Sequence, residues 1–198
     1  MSRPKSVERL IENFARLPGV GPKTSERLTY FLLRSDPNVA RSLVEAIETA
    51  RASTRVCSQC FNLDESDPCT VCSDASRDRG LMLVVEDPRD VSAFEESGFR
   101  GIYHVLQGRV SSLEGIGLGD LTLSALHRRL AAEVPREIVL ATNPDLEGEG
   151  TAQLLLEQLA SYGASITRIA RGIPAGATIT QVSKSILADA IDGRRPLA

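Results

Sequence analysis

The 198-residue sequence contains no tryptophan, three tyrosines and five phenylalanines. So few rings argue against a broad stacking surface for single-stranded nucleic acid. No apolar run approaches the roughly 18 residues that a membrane span needs. The opening MSRPKSVERL has no apolar stretch of the kind that marks a signal peptide. These absences lead to the expectation of a cytoplasmic protein without a membrane partner. A Walker A string is also missing. Gly115-x-Gly-x-Gly119 does not sit directly between a strand and a helix of one βαβ unit, so it reads as a flexible loop. The two histidines, His104 and His127, have no obvious catalytic partner nearby in sequence and read as structural. Tyr30, Tyr103 and Tyr162 fall within expected core elements, and none is placed as a catalytic nucleophile.

Hydrophobic residues make up 42% of the chain and charged residues 25%, enough for a real core and an ordinary soluble surface. The net charge of −3 is unevenly distributed. Residues 1–55 hold ten Lys and Arg against six Asp and Glu, a balance of +4, and the remainder carries −7. A basic N-terminal part on an acidic body hints at a localised anion-binding module, with chance surface composition as the competing explanation.

Three patterns follow one another along the chain. To about residue 55 the apolar spacing is helical. Val7, Leu10, Ile11 and Phe14 form one stripe, with Ser6 as expected N-cap. Pro18-Gly19 ends that helix, and Pro22 starts a second at a position where its missing N–H costs nothing. Leu28, Phe31 and Leu32 mark the apolar stripe of the second helix. Asp36-Pro37 opens a third helix, with Val39, Leu43, Ala46 and Ile47. The stretch 56–77 is short and polar, holds all four cysteines and needs a staple. From about 80 onward strands and helices alternate. Strands are expected at 81–85, 101–106, 137–141 and 165–169, and helices at 89–97, 121–132, 150–162 and 182–191. That alternation predicts an α/β fold with a mainly parallel sheet covered by helices.

The first candidate site is Leu-Pro-Gly-Val-Gly (17–21) followed by Pro-Lys-Thr-Ser-Glu-Arg. Gly19 and Gly21 permit a tight turn between two helices. The second helix then presents unsatisfied amides to an anion such as phosphate. Lys23 and Arg27, four residues apart, fall on one face beside that turn. A helical hairpin that only packs, or that serves as an oligomer contact, is the plainer use of the same string.

The second site is Cys57-x2-Cys60 with Cys69-x2-Cys72. Paired knuckles bring four thiolates to one point, which suits a closed, structural, tetrahedral Zn2+. The eight-residue spacer is shorter than usual and must be compact. An iron–sulfur cluster and a pair of disulfides are the alternatives. The third site is acidic. Glu86 closes the first expected strand, and Ala-Thr-Asn-Pro-Asp-Leu-Glu-Gly-Glu (141–149) follows the third. Glu86, Asp145 and Glu147 at the carboxyl ends of parallel strands could converge on a hard cation such as Mg2+.

A strand ending in Glu, then a strand followed by an acidic motif, resembles the Toprim domain of topoisomerases and primases. Asn143 stands where catalytic members carry the first Asp, which leaves a two-metal cage incomplete. Helix-hairpin-helix, four-cysteine knuckle and Toprim in one chain resemble the RecR family. Leu-Pro-Gly-Val-Gly-Pro-Lys (17–23), Tyr-His-Val-Leu-Gln-Gly (103–108) and Arg-Ile-Ala-Arg-Gly-Ile-Pro (168–174) strengthen the likeness. The resemblance implies four segments: a DNA-binding helix-hairpin-helix region at 1–55, a zinc finger at 56–77, a Toprim domain at 78–172 and an oligomerisation segment at 173–198. The stretch Thr180-Gln-Val-Ser-Lys departs from the family pattern there. The resemblance further implies a non-enzymatic, nucleoid-associated bacterial mediator of recombinational DNA repair. It would form a clamp-like homotetramer or dimer and act with RecO and RecF to load recombinase at gaps and breaks. It implies that the Toprim domain mainly binds protein partners, with Glu86, Asp145 and Glu147 as partner or residual acidic site and no catalytic residue. A magnesium-dependent nuclease or topoisomerase-like enzyme is the rival reading.

Overall fold

The computed structural model describes residues 3–194. It divides into two compact units, one up to Thr54 and one from Arg55 onward. No helix among the described residues is long and apolar enough to cross a membrane.

The first unit is helical: α1 (Lys5–Ala15), α2 (Pro22–Arg34) and α3 (Pro37–Ser53). The stripe Val7, Leu10, Ile11 and Phe14 is half-buried, while Ser25 and Thr29 of α2 are fully buried. Two expectations change here. Pro4, not Ser6, is the N-cap of α1. Its carbonyl accepts from the Val7 and Glu8 amides, so the helix starts without a side-chain cap. Tyr30 is exposed rather than in the core, because it follows the buried Thr29 around α2 onto the outer face. Asp36 caps α3 as expected, accepting from the Asn38 amide at 2.8 Å. The stripe of α3 forms, but Val39, Leu43 and Ile47 all remain exposed.

The second unit begins with a two-stranded antiparallel pair, β1 (Arg55–Val56) with β2 (Leu63–Asp64), and a single-turn helix α4 (Thr70–Ser73). An α/β body follows: β3 (Asp78–Val85), α5 (Pro88–Glu96), β4 (Gly101–Val105), α6 (Leu123–Ala132), β5 (Glu137–Leu140), α7 (Leu146–Leu159), β6 (Ser165–Arg168) and α8 (Lys184–Asp192). The four main strands are parallel and lie in the order β4-β3-β5-β6.

Both faces of this sheet are buried, as a parallel sheet requires. Alternate residues of β3 sort them. Met82 and Val84 face a core with Leu126 and Leu130 of α6 and Leu155 and Leu159 of α7. Leu83 and Val85 face a second core with Tyr103, Val105, Val91 of α5 and all four cysteines. The cysteine segment therefore acts as one of the layers. It also covers the sheet's β4 edge, where the Val105 amide donates to the Cys60 carbonyl at 2.8 Å.

One helix begins earlier than its composition suggests. Gly148 and Gly150 argue against helix, yet α7 starts at Leu146 with Asp145 as N-cap. Gly148 is required on steric grounds, since a Cβ there would lie 2.1 Å from the Asn143 carbonyl oxygen. The Gly115 loop is held by an isolated antiparallel bridge between Ser111 and Ile116.

His104, fully buried in β4, is structural as expected. The Thr122 hydroxyl donates to the Val105 carbonyl at 2.7 Å, so His104 Nε2, 2.9 Å from that hydroxyl oxygen, is the proton donor. His104 Nδ1 has no partner. Burial lowers its pKa to about 4, whereas an unfolded chain takes up the proton near 6.5. The unfolded state therefore binds more protons below that pH, and stability is lost as the pH falls. The expected loss is about 1.5 kcal/mol between pH 6.5 and 5. Denaturant titrations at the two pH values check this, and a His104→Gln variant should lose that part of the slope.

Candidate metal centre and nucleic-acid interface

The four cysteines meet. All four Sγ atoms lie within 4.8 Å of one another and are buried. Cys57 and Cys72 are 3.9 Å apart, and Cys60 and Cys69 3.5 Å. A tetrahedral ion with Zn–S bonds of ~2.3 Å separates its sulfurs by about 3.8 Å. Backbone amides are aimed at the sulfurs as well. Cys69 N–H points to Cys57 Sγ at 3.3 Å and Cys72 N–H to Cys69 Sγ at 3.4 Å. Such contacts stabilise thiolates, the form that binds metal. Hydrogen bonds from the Cys60 and Cys72 side chains hold the Cys69 thiol well below its ordinary range, and the bond to Cys69 pushes Cys60 up. One metal ion replaces these shared protons. The donor set fits zinc, and it leaves no open position for a substrate.

Two aspartates make the short spacer compact. Asp64 accepts from the Thr70 amide at 2.9 Å and the Thr70 hydroxyl at 2.8 Å, and from the amides of Glu65 and Ser66. Its pKa falls to about 2, chiefly through the Thr70 amide. Asp67 accepts from the Ser58 amide at 2.7 Å, tying the spacer back to the first knuckle.

In the N-terminal hairpin, Gly19 has φ +77°, a conformation that favours glycine. Gly21 is extended and caps α2 with no side-chain hydrogen bond. Its smallness is therefore not demanded by the turn, and a Cβ there would meet nothing within 4 Å. Pro22 lacks an N–H, and no acceptor caps the first turn that follows. Lys23 and Arg27 are exposed one turn apart. The arrangement offers backbone amides, a helix N-terminus and two cations to an anion.

The acidic residues sit at the carboxyl ends of the strands, but each has an internal partner. Glu86, nearly buried, accepts from the Asn143 amide at 2.8 Å and from its side-chain nitrogen at 2.7 Å. Asp145 accepts from the Gly148 amide at 2.8 Å and from Arg109 at 2.5 Å. The Gly148 amide, and secondarily Arg109, hold its pKa below the usual carboxylate range. Glu147 pairs with Arg109 at 2.8 Å and accepts from the Ser111 hydroxyl. Among the described residues, the cysteines are the one group of three or more metal-type ligands drawn together. The last residue of the Glu-Gly-Glu string (147–149), Glu149, pairs with Arg168 and Arg171. Arg171 also reaches Asp189 of α8 at 3.2 Å.

Sequence reasoning missed Arg109, Ser111, Arg168 and Arg171. Arg109 and Ser111 lie 36 residues before their partners, and no spacing rule links them. The Val110 amide, which donates to the Thr151 hydroxyl at 3.0 Å, lays their loop against α7.

A helical hairpin, a four-cysteine knuckle and a parallel Toprim-type sheet define a zinc-finger Toprim protein with a helix-hairpin-helix module. Residues 7–51 match the family model described as RecR, helix-hairpin-helix, residues 54–74 the RecR four-cysteine zinc finger domain, and residues 80–170 the Toprim domain. The chain is 48% identical over 192 residues to Recombination protein RecR of Chloroflexus aggregans, covering 96% of this chain and 94% of that one. It is 48% identical over 194 residues to the protein of that name in Pelotomaculum thermopropionicum, covering 98% and 97%. The match to that of Syntrophotalea carbinolica is 47%, covering 97% of each. The chain belongs to the RecR family.

The hydrogen bonds of Asp64 go to Glu65, Ser66 and Thr70 and not to a sulfur, so its effect on metal retention reports the spacer. An Asp64→Ala variant should bind one zinc per chain and release it to a chelator at least several-fold faster than the unaltered protein. A chromogenic zinc indicator under stopped flow measures this, and equal release rates would remove the spacer from the account.

Proposed function

We propose that this chain is a DNA-holding recombination mediator in DNA repair that performs no bond chemistry itself. The observation that carries the reading is the uncapped start of α2, with Lys23 and Arg27 exposed beside it. Backbone amides at a helix N-terminus receive a phosphate without reading a base, and two cations one turn apart extend the contact along the same strand. Gly19 sets the turn, and Gly21 keeps the approach clear of a side chain. On this reading residues 1–55 bind DNA, and 56–77 form a zinc finger in which Cys57, Cys60, Cys69 and Cys72 hold one structural ion. Residues 78–172 are a Toprim body, and 173–198 contribute to oligomerisation. The protein works in the cytoplasm, at the nucleoid.

The pairing of Asp145 and Glu147 with Arg109, and of Glu86 with Asn143, supports a non-catalytic Toprim domain. A cavity of about 370 Å3 beside it is lined by Glu86, Asp87, Asp90 and Glu114 together with Arg89 and Arg109. This mixed, net acidic lining, with two guanidiniums already in place, suits the polar surface of a protein partner such as RecO or RecF better than it suits magnesium. The exposed stripe Val39, Leu43 and Ile47 on α3 supports self-association into a dimer or tetramer, in which several weak hairpin contacts add up.

Reversing both hairpin cations, Lys23→Glu with Arg27→Glu, should weaken oligonucleotide binding at least tenfold at 0.1 M salt. The slope of log affinity against log salt should flatten by roughly 1.4–1.8 per chain. Fluorescence anisotropy over a salt series reads both, and unchanged affinity would overturn the reading. Incubation of the protein with supercoiled and linear DNA and magnesium should leave length and topology unchanged on a gel. Product formed by the unaltered protein and lost in Glu86→Ala would establish the enzymatic alternative.

A further inference from the structure

A second cationic feature lies at the other end of the sheet from the acidic residues. The amino-terminal end of β3 carries Arg79, and the carboxyl-terminal half of α6 carries Arg128 and Arg129. Together with Ser58 and Gln59 they line a cavity of about 430 Å3, floored by Met82. Ser58 and Gln59 are the two residues between the first pair of cysteines. The knuckle thus supplies one wall of the cavity. Glu86 lies seven residue steps along the chain from Arg79, about 23 Å of extended backbone, so the carboxylates at the far end do not neutralise it.

The arginines here differ from those at the acidic end. Among the described residues, the arginines in ion pairs are Arg3, Arg77, Arg89, Arg109, Arg136, Arg168 and Arg171. None of the cavity arginines is in that set, although Glu133 also lines the wall. Two of them are instead braced by backbone carbonyls. Arg129 donates to the Tyr103 carbonyl at 2.5 Å, and Arg79 to the Cys72 carbonyl at 3.3 Å. Each such bond uses one of five N–H groups and leaves the rest of the guanidinium fork available. Held forks of this kind match the paired oxygens of a phosphate.

We propose that this cavity is a phosphate-binding site in the second unit, and that a phosphodiester of a DNA strand fills it. The proposal takes its ligand from the DNA-binding reading above but is independent of the hairpin. Ser58 and Gln59 add neutral donors at the wall, so zinc loading and phosphate binding are linked through the position of the knuckle.

The zinc-loaded full-length protein tests it. Arg79 and Arg128 are exposed, so Arg79→Ala with Arg128→Ala should keep the fold. That variant should lower the salt slope for a fluorescent oligonucleotide by about 1.4–1.8 per chain, in addition to the loss caused by Lys23→Glu with Arg27→Glu. A Gln59→Glu variant, which puts a carboxylate in the wall without removing an arginine, should weaken binding in the same direction. Inorganic pyrophosphate should compete with the oligonucleotide in the hairpin variant and fail to do so once Arg79 and Arg128 are replaced. If the Arg79/Arg128 variant keeps the full slope while the hairpin variant loses it, the cavity proposal falls and the hairpin reading stands. If neither variant changes binding, both fall. If pyrophosphate binds in the cavity, seen as loss of its line-broadening in the Arg79/Arg128 variant, without displacing the oligonucleotide, the site takes free phosphates and the DNA assignment is overturned.

Discussion

A parallel sheet has two apolar faces, and this chain has few helices with which to cover them. Helices α6 and α7 close one face. On the other, α5 covers only part of Leu83, Val85, Tyr103 and Val105, and the cysteine knuckle completes the layer. Each such side chain stabilises the fold by roughly 1.5–3 kcal/mol when buried. A whole domain has a margin of only about 5–15 kcal/mol. Opening the knuckle therefore affects the sheet as a whole, and the metal that closes it acts on global stability. A segment of some twenty residues with little regular structure can serve as a layer only because four thiolates and one ion do what its own apolar content cannot.

The same sheet organises charge. At the carboxyl ends of its strands, Glu86, Asp145 and Glu147 lie where the loops of an open α/β sheet gather a site. Yet the polar groups are mutually satisfied. Asn143 spends two donors on Glu86, Asp145 caps α7, and Arg109 spans Asp145 and Glu147. A guanidinium placed between two carboxylates supplies the charge that a divalent ion would bring, without an exchangeable coordination position. A ligand set of this kind costs the ion pairs before it gains a metal, and the neutral Asn143 offers less in return than a carboxylate would.

Much of this was legible from residue order. The paired Cys-x2-Cys knuckles, the Pro-Gly hairpin and the alternation of strands and helices rest on local rules, and local rules survive folding. What escaped was non-local. Nothing near Arg109 in sequence points to Asp145, because the contact depends on a loop crossing onto α7. The start of α7 is hidden because Gly148 lowers helix propensity, while the fold uses it to let Glu86 and the Asn143 carbonyl approach. Gly21 reads as a turn glycine but has an extended backbone, so its value lies in what can come close to it. The periodicity of α3 holds, but periodicity states which residues share a face and leaves open what covers that face.

That uncovered face bears on how the proposed mediator would hold DNA. Two hairpin cations release few counterions, so a single chain gains little affinity and loses much of it as salt rises. Adding specific base contacts would raise affinity, but it would tie the protein to one sequence, which suits a repair factor badly. Repetition avoids this conflict. Several identical hairpins joined in one assembly raise the effective concentration of each for the same strand, at no cost in sequence tolerance. On the proposed reading, the exposed apolar residues Val39, Leu43 and Ile47 would be the complement of the weak cations on α2: burying them against another copy would convert several marginal phosphate contacts into one firm grip.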